Sequence, residues 1–229
     1  MNIGGLTKTT LLDYPGHVAA TVFIAGCNYR CPFCHNRELV LPDMAAGLSY
    51  IDEDEVFSFL EKRKNILSGV CISGGEPTLA AGLADFIRRI KGLGFLVKLD
   101  TNGSLPEVLA TLLAEGLPDY VAMDIKHTKK QYPAACGVAA EGIEASMALL
   151  KNSGIPHEFR TTVVQGLHDE EDLLDIGEWI KGGAPWFLQA FVDSDGVIAE
   201  GLGAYGTEQM EEFVRRLTGR GVDVQLRGM

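Results

Sequence analysis

Cys27, Cys31 and Cys34 bring three thiols within eight residues, in the stretch CNYRCPFCHN. Clustered cysteines in a reducing compartment are metal ligands more often than disulfide partners. A closed zinc site takes four ligands, usually as two pairs far apart in the chain. Here the spacing is C-x3-C-x2-C, and a fourth ligand would have to come from elsewhere. His35 directly follows Cys34, and adjacent residues tend to point apart, so His35 is expected to pack beside the site. Iron–sulfur clusters normally take four cysteines. Three thiolates on a 4Fe-4S cube would leave one iron open to a reactant, the logic by which catalytic zinc keeps a position open. Pro32 and Phe33 would then help keep water off the cluster, which is one lever on its potential. A zinc knuckle or a loop of structural thiols is the alternative that spacing leaves open. Cys71, in the apolar GVCISGG, reads as a small buried hydrophobe. Cys136, in PAACGVAA, reads as a structural thiol in a loop with nothing nearby to complete a site.

Three further stretches carry polar groups at the ends of apolar runs. In SGGEPT, Gly74 and Gly75 allow close approach of backbone to a ligand. Glu76 can accept from an ammonium group, and Pro77 sets the start of a helix; the plainer reading is a strand-to-helix turn capped by Thr78. In DTNG, Asp100 at a strand end is costly to bury unless it is paired or metal-bound. In MDIK, Asp124 and Lys126 lie two residues apart and so on one side of a strand; an internal salt bridge is the plain alternative. Arg160 stands among apolar and β-branched residues, with a ligand or a neighbouring aspartate as its partner. His17, His127, His157 and His168 lack ligand spacing and read as surface or core residues.

The elements that must position these groups alternate. Val18–Ala25 is an apolar run that reads as a strand, and the cysteine loop follows it. The helix at Asp52–Leu67 is acidic at its start and basic near its end, as the helix dipole favours. Its expected inner face is Val56, Phe59 and Leu60 with the Lys64 stem. Strands follow at GVCIS, FLVKLDTNG, DYVAMDIK, HEFRTTVV and WFLQAFV. Helices lie between them, the first running unbroken through TLAAGLADFIRRIKGLG to a glycine stop. A segment rich in Lys, Tyr and Pro after DIK reads as a loop, and GVDVQLRG closes the chain as a short strand. Six β–α units in succession imply parallel strands with right-handed crossovers. That leaves a doubly wound sheet or an incomplete barrel open on one side. No polar linker divides the chain, so a single domain over 1–229 is expected. In either architecture functional residues gather at the carboxyl ends of strands, and all four motifs fall there.

Hydrophobic residues make up 46% of the chain, enough for a sizeable core, and the net charge is −11. That acidity argues against nucleic acid as a partner, because phosphate binding needs a basic surface. No run of 18 apolar residues reads as a membrane span, and the start MNIGGLTKTT does not read as a secretory signal. A cytoplasmic protein is expected.

CNYRCPFCHN together with SGGEPT resembles the radical S-adenosylmethionine (SAM) enzymes, in which such a loop follows the first strand and GGEP the second. GLTKTTLLDYPGHVAATVFIAGCNYRCPFCHN is similar to the start of activating proteins for glycyl radical enzymes, above all the short type that serves anaerobic ribonucleoside-triphosphate reductase. The resemblance implies a partial (β/α)6 barrel, a 4Fe-4S cluster on Cys27, Cys31 and Cys34, and SAM cleaved reductively to a 5′-deoxyadenosyl radical. It implies that Gly74, Gly75 and Glu76 bind the methionine amine and that Lys126 meets the methionine carboxylate. Asp100, Thr101 and Asp124 become candidates for a monovalent cation, and Arg160 for SAM. LLDYPG would lie near the mouth of the site. The implied partners are a glycyl radical enzyme and a reduced flavodoxin or ferredoxin as electron donor. Related activases often carry a histidine on the sixth strand where this chain has Gln189 and Phe191. A radical SAM enzyme acting on a small molecule, or a non-catalytic metal module, are the competing readings.

Overall fold

Apolar runs become strands and amphipathic runs become helices. The computed structural model describes residues 1–182 and 184–228. In chain order the first elements are β1 (Ile3–Thr10), β2 (Ala19–Ile24), α1 (Arg37–Val40), α2 (Pro42–Ala45), α3 (Glu53–Lys62), β3 (Gly69–Gly74) and a 3-10 turn at Pro77–Leu79. Next come α4 (Leu83–Gly92), β4 (Leu96–Thr101), α5 (Pro106–Ala114), β5 (Tyr120–Asp124), α6 (Tyr132–Cys136) and α7 (Glu141–Ser153). The chain closes with β6 (His157–Val163), α8 (Glu170–Ile180), β7 (Trp186–Ala190), α9 (Thr207–Gly219) and β8 (Val224–Arg227). This is an α/β fold whose mostly parallel sheet runs in chain order from β1 to β8 without closing into a barrel.

The chain forms two compact units. One comprises 1–28, 38–101 and 105–122; the other comprises 29–37, 102–104 and the chain from Met123 onward. In the first, β2 pairs parallel with β3 from Ala19↔Gly69 to Ile24↔Gly74, and β3 pairs parallel with β4. This register brings the ends of β2 and β3 level, so the segments that follow each leave the sheet side by side. β2 is buried at Ala19, Ala20, Thr21, Val22 and Ile24, as a parallel strand covered on both faces must be. In the second unit β6, β7 and β8 pair parallel. Arg227 on β8 closes on the buried Glu158 of β6 and lies over the Phe187 ring of β7.

Helix ends follow local chemistry. Asp52 caps α3 by accepting from Asp54 N, and Asp169 and Asp172 form a reciprocal capping box on α8. Four sequence expectations are corrected. β1 is an added strand, antiparallel to β2. The helix expected through TLAAGLADF is divided: Gly82, at φ 84°, sits between the 3-10 turn and α4, a left-handed conformation that only glycine adopts cheaply. The Lys/Tyr/Pro segment after DIK holds the short α6. The inner face of α3 is Val56, Phe57 and Leu60. Phe57 takes the place expected of Phe59, meeting Phe86 edge-on at 5.2 Å beneath the Arg89 guanidinium.

Candidate functional site

In the first unit the segments after β2 and β3 are stitched together. Gly75 N donates to Ile24 O and Glu76 N to Gly26 O, each at 2.8 Å. A Cβ on Gly74 would collide with the Ile24 carbonyl, and one on Gly75 with the Gly26 carbonyl and, at 3.3 Å, with the Cys27 Cβ. The two glycines are thus required by the close packing of backbone on backbone beside Cys27. Thr78 does not cap the following turn. Glu76 does, with its Oε1 accepting from Thr78 N at 3.0 Å and Thr78 Oγ1 at 2.5 Å. Thr101 Oγ1 adds a third donor at 2.8 Å. Glu76 is fully buried, and three donors on one oxygen hold its carboxylate in a single orientation.

Asp100 is likewise engaged. Ser73 Oγ donates to its Oδ2 at 3.0 Å, and the ammonium of Lys98, 1% exposed, pairs with its Oδ1. Lys98 also stands 3.9 Å from the sulfur of the buried Cys71. Upstream, Asp13 accepts from Thr21 Oγ1 at 2.5 Å, and the buried Tyr14 fills space over Gly69. Burial, then the Asp119 charge, pushes the Tyr14 hydroxyl up to about 12. Between these anchors and β1, Leu11 and Leu12 are 71% and 85% exposed.

In the second unit the loop from Tyr29 to Arg37 is pinned to the segment after β7. Ala199 N donates to Pro32 O at 2.9 Å and Ile198 N to Cys34 O at 3.2 Å. Cys34 N closes a turn onto Cys31 O at 3.1 Å. Phe33 is buried and meets the His168 ring edge-on at 6.0 Å. His35 contacts the Val192 carbonyl oxygen through Nε2 at 2.7 Å and lies 5.4 Å from the Phe191 ring. The His35 ring is thus turned to the end of β7 and the residues after it. Cys31 is buried, with its sulfur 3.4 Å from the Cys136 sulfur. Cys136, read from sequence as a structural thiol, is thus brought against one of the three loop cysteines by the fold.

Asp124 joins two cations. Lys126 Nζ donates to Oδ2 at 2.9 Å and Arg160 Nε to Oδ1 at 2.8 Å. Burial alone would raise the Asp124 carboxyl, but Arg160 and then Lys126 hold it well below the usual carboxylate range. Burial alone would lower Lys126, but Asp124 and then the Cys31 sulfur keep its ammonium far above the usual lysine value. The Cys136 hydrogen bond pulls the Cys31 thiol down against burial, with help from Lys126. Burial pushes the Cys34 thiol up, opposed by the Asn36 backbone and then by Lys126.

The backbone of Lys126 is clamped on both sides. Its N–H donates to Tyr132 Oη at 2.9 Å, and its carbonyl accepts from His168 Nε2 at 2.8 Å. His168 Nδ1 accepts from Val164 N at 3.1 Å, so the ring is a neutral tautomer with both nitrogens used. His127 stacks on it at 4.6 Å. Burial first, then His127, pushes His168 down to about 4.

Each cation candidate is thus held by protein: Asp100 by Lys98, Thr101 by Glu76, Asp124 by Lys126 and Arg160. Among the described residues no three His, Cys, Asp or Glu side chains converge as they would around one metal ion. The loop's own donor set is three cysteine thiols, and thiolates are the ligands that iron–sulfur clusters take. Sequence reasoning gave no role to Lys98 or Tyr132, and read Cys136 and His168 as structural, surface or core residues without their partners. Only Lys98 left a signal, a cation inside an apolar strand two residues from Asp100.

Residues 21–180 match the family model of the radical SAM superfamily. A candidate glycyl-radical enzyme activating enzyme of Methanocaldococcus jannaschii is 34% identical, over 84% of this chain and 81% of its own. Pyruvate formate-lyase 1-activating enzyme of Escherichia coli K12 is 31% identical, over 74% of this chain and 71% of its own. The crystal structure of Streptococcus suis SuiB bound to S-adenosylmethionine has the same fold at 14% identity. It covers 90% of this chain and 51% of that one, with a TM-score of 0.65.

Proposed function

The chain belongs to the radical SAM superfamily and to its glycyl-radical enzyme activating members, and from that premise we propose that Cys27, Cys31 and Cys34 hold its 4Fe-4S cluster. The cofactors of the family are that cluster and SAM. The observation that carries the reading is the stitch between the two motifs, Glu76 N to Gly26 O, which sets a buried and oriented carboxylate beside the residue that precedes Cys27. When bound, the cluster would supply one electron and an iron open to SAM, the chemistry needed for reductive cleavage of the SAM C5′–S bond.

The residues of the chain do the rest. Glu76 accepts from the methionine ammonium, a charge-assisted hydrogen bond that its fixed orientation favours. Lys126 meets the methionine carboxylate, with Asp124 and Arg160 steadying its side chain and Tyr132 and His168 its backbone. Phe33, buried against His168, excludes water. The chemistry so supplied would be removal of a hydrogen atom from a glycine Cα of the partner, leaving a glycyl radical there and deoxyadenosine as the product. The partner is a glycyl radical enzyme, with anaerobic ribonucleoside-triphosphate reductase as the specific assignment. The electron comes from a reduced flavodoxin or ferredoxin, and neither nucleic acid nor membrane takes part. No described helix is long and apolar enough to cross a membrane, and we place the protein in the cytoplasm as one functional domain.

The test is anaerobic reconstitution with iron and sulfide, followed by SAM, reductant and candidate partner enzymes. A glycyl radical signal by electron paramagnetic resonance with the reductase, and its loss in Cys27→Ala, Cys31→Ala and Cys34→Ala, is the expected result. Deoxyadenosine formed equally well without any protein partner would assign the chemistry to a small molecule instead.

A further inference from the structure

Cys31 and Cys136 are 105 residues apart in the chain, yet their sulfurs lie 3.4 Å apart in a buried site. The approach is built into the backbone. Arg30 N points at Cys136 O at 3.4 Å, so the residue before Cys31 contacts the peptide of Cys136 itself. Cys136 ends α6, and Gly137 follows in the left-handed conformation at φ 78°, its N–H donating to Pro133 O. At the other end of α6, Tyr132 is fully buried, takes the Lys126 N–H on its hydroxyl and packs edge-on against Trp179. The helix is therefore held at both ends, and Cys136 has little room to move away.

We infer that Cys136 is the hydrogen-bond donor to the Cys31 sulfur and tunes the cluster's reduction potential. The inference rests on the assignment of Cys31 as a cluster ligand. A ligating cysteine is a thiolate with no proton to give, so the donor in an S–H···S contact must be Cys136. Hydrogen bonds to ligand sulfur are among the protein's levers on cluster potential. A donor stabilises the reduced cluster more than the oxidised one, because reduction puts more negative charge on sulfur. The potential rises, and a donor of given strength reduces a larger fraction of the cluster. Cys136 acts through Cys31 and is a positioning residue rather than a catalytic one.

The experiment compares reconstituted wild type, Cys136→Ala and Cys136→Ser. Iron and sulfide content is measured first, then the midpoint potential by redox titration followed by electron paramagnetic resonance. Cys136→Ala is expected to load fully and to titrate at a more negative potential. Cys136→Ser, which keeps an O–H donor, is expected to return towards wild type. A fully loaded Cys136→Ala at the wild-type potential overturns the tuning role and leaves the three-cysteine assignment standing. Loss of cluster from both variants, with wild type loaded, assigns Cys136 to packing and also overturns it. Wild type that takes up no cluster overturns the ligand assignment, and this inference with it.

Discussion

His168 Nε2 donates to the carbonyl oxygen of Lys126 at 2.8 Å, across 42 residues of chain. With Val164 N already donating to Nδ1, a second ring proton has nowhere to go without breaking a buried hydrogen bond. His168 ionises at about 4 in the fold against an ordinary value of 6.5. Between those two pH values the unfolded chain binds the proton and the folded chain does not. Its contribution is therefore complete above pH 6.5 and is lost as pH falls towards 4. The size is on the order of 3 kcal/mol for a buried group shifted by this much. Urea unfolding of the apoprotein at pH 7.5, 6 and 5 measures it. His168→Phe should flatten that part of the profile, and an unchanged slope would refute the assignment.

Lys98 and Asp100 form a buried ion pair on one face of β4. Lys98→Met removes one charge and leaves the other desolvated, so a loss of about 3–5 kcal/mol in urea unfolding is expected. The double variant K98M/D100N, in which neither charge is left buried alone, should recover most of it. A single variant as stable as wild type would mean that the pair is open to water.

Gly75→Ala drives a methyl group into the Gly26 carbonyl. Backbone cannot yield as a flexible side chain can, so a destabilisation of about 1–3 kcal/mol or more is expected. Loss of iron on reconstitution should accompany it, since the stitch beside Cys27 is displaced. Wild-type stability and iron content together would show that this turn is looser than its packing.

Glu76→Gln keeps one carbonyl oxygen for Thr78 and Thr101 but removes the charge. A charged hydrogen bond is worth about 1.5–3 kcal/mol, so SAM affinity should fall roughly 10–100-fold with the cluster retained. Equilibrium dialysis of the reconstituted variant reads this directly, and an unchanged Kd would take Glu76 out of the site.

The alternation of elements was legible because parallel strands covered on both faces are continuous apolar runs, as in AATVFI and GVCISG. β1 escaped for the opposite reason. IGGLTKTT carries two glycines and only one fully buried residue, Ile3, so it has no apolar rhythm. The division at Gly82 escaped because TLAAGLADF has helical composition throughout, and only the φ of one residue separates turn from helix. α6, at five residues, is too short for any period to show.

The chemistry of the cysteine loop and of SGGEPT could be read from neighbours in the chain, because a motif is a set of residue types at short spacing. Which groups oppose them could not. Cys136 reaches Cys31 across 105 residues of chain, and His168 reaches Lys126 across 42. Such pairings are set by how strands register and helices pack, and by the cost of leaving a buried polar group without a partner. That cost is settled between residues that no local pattern connects.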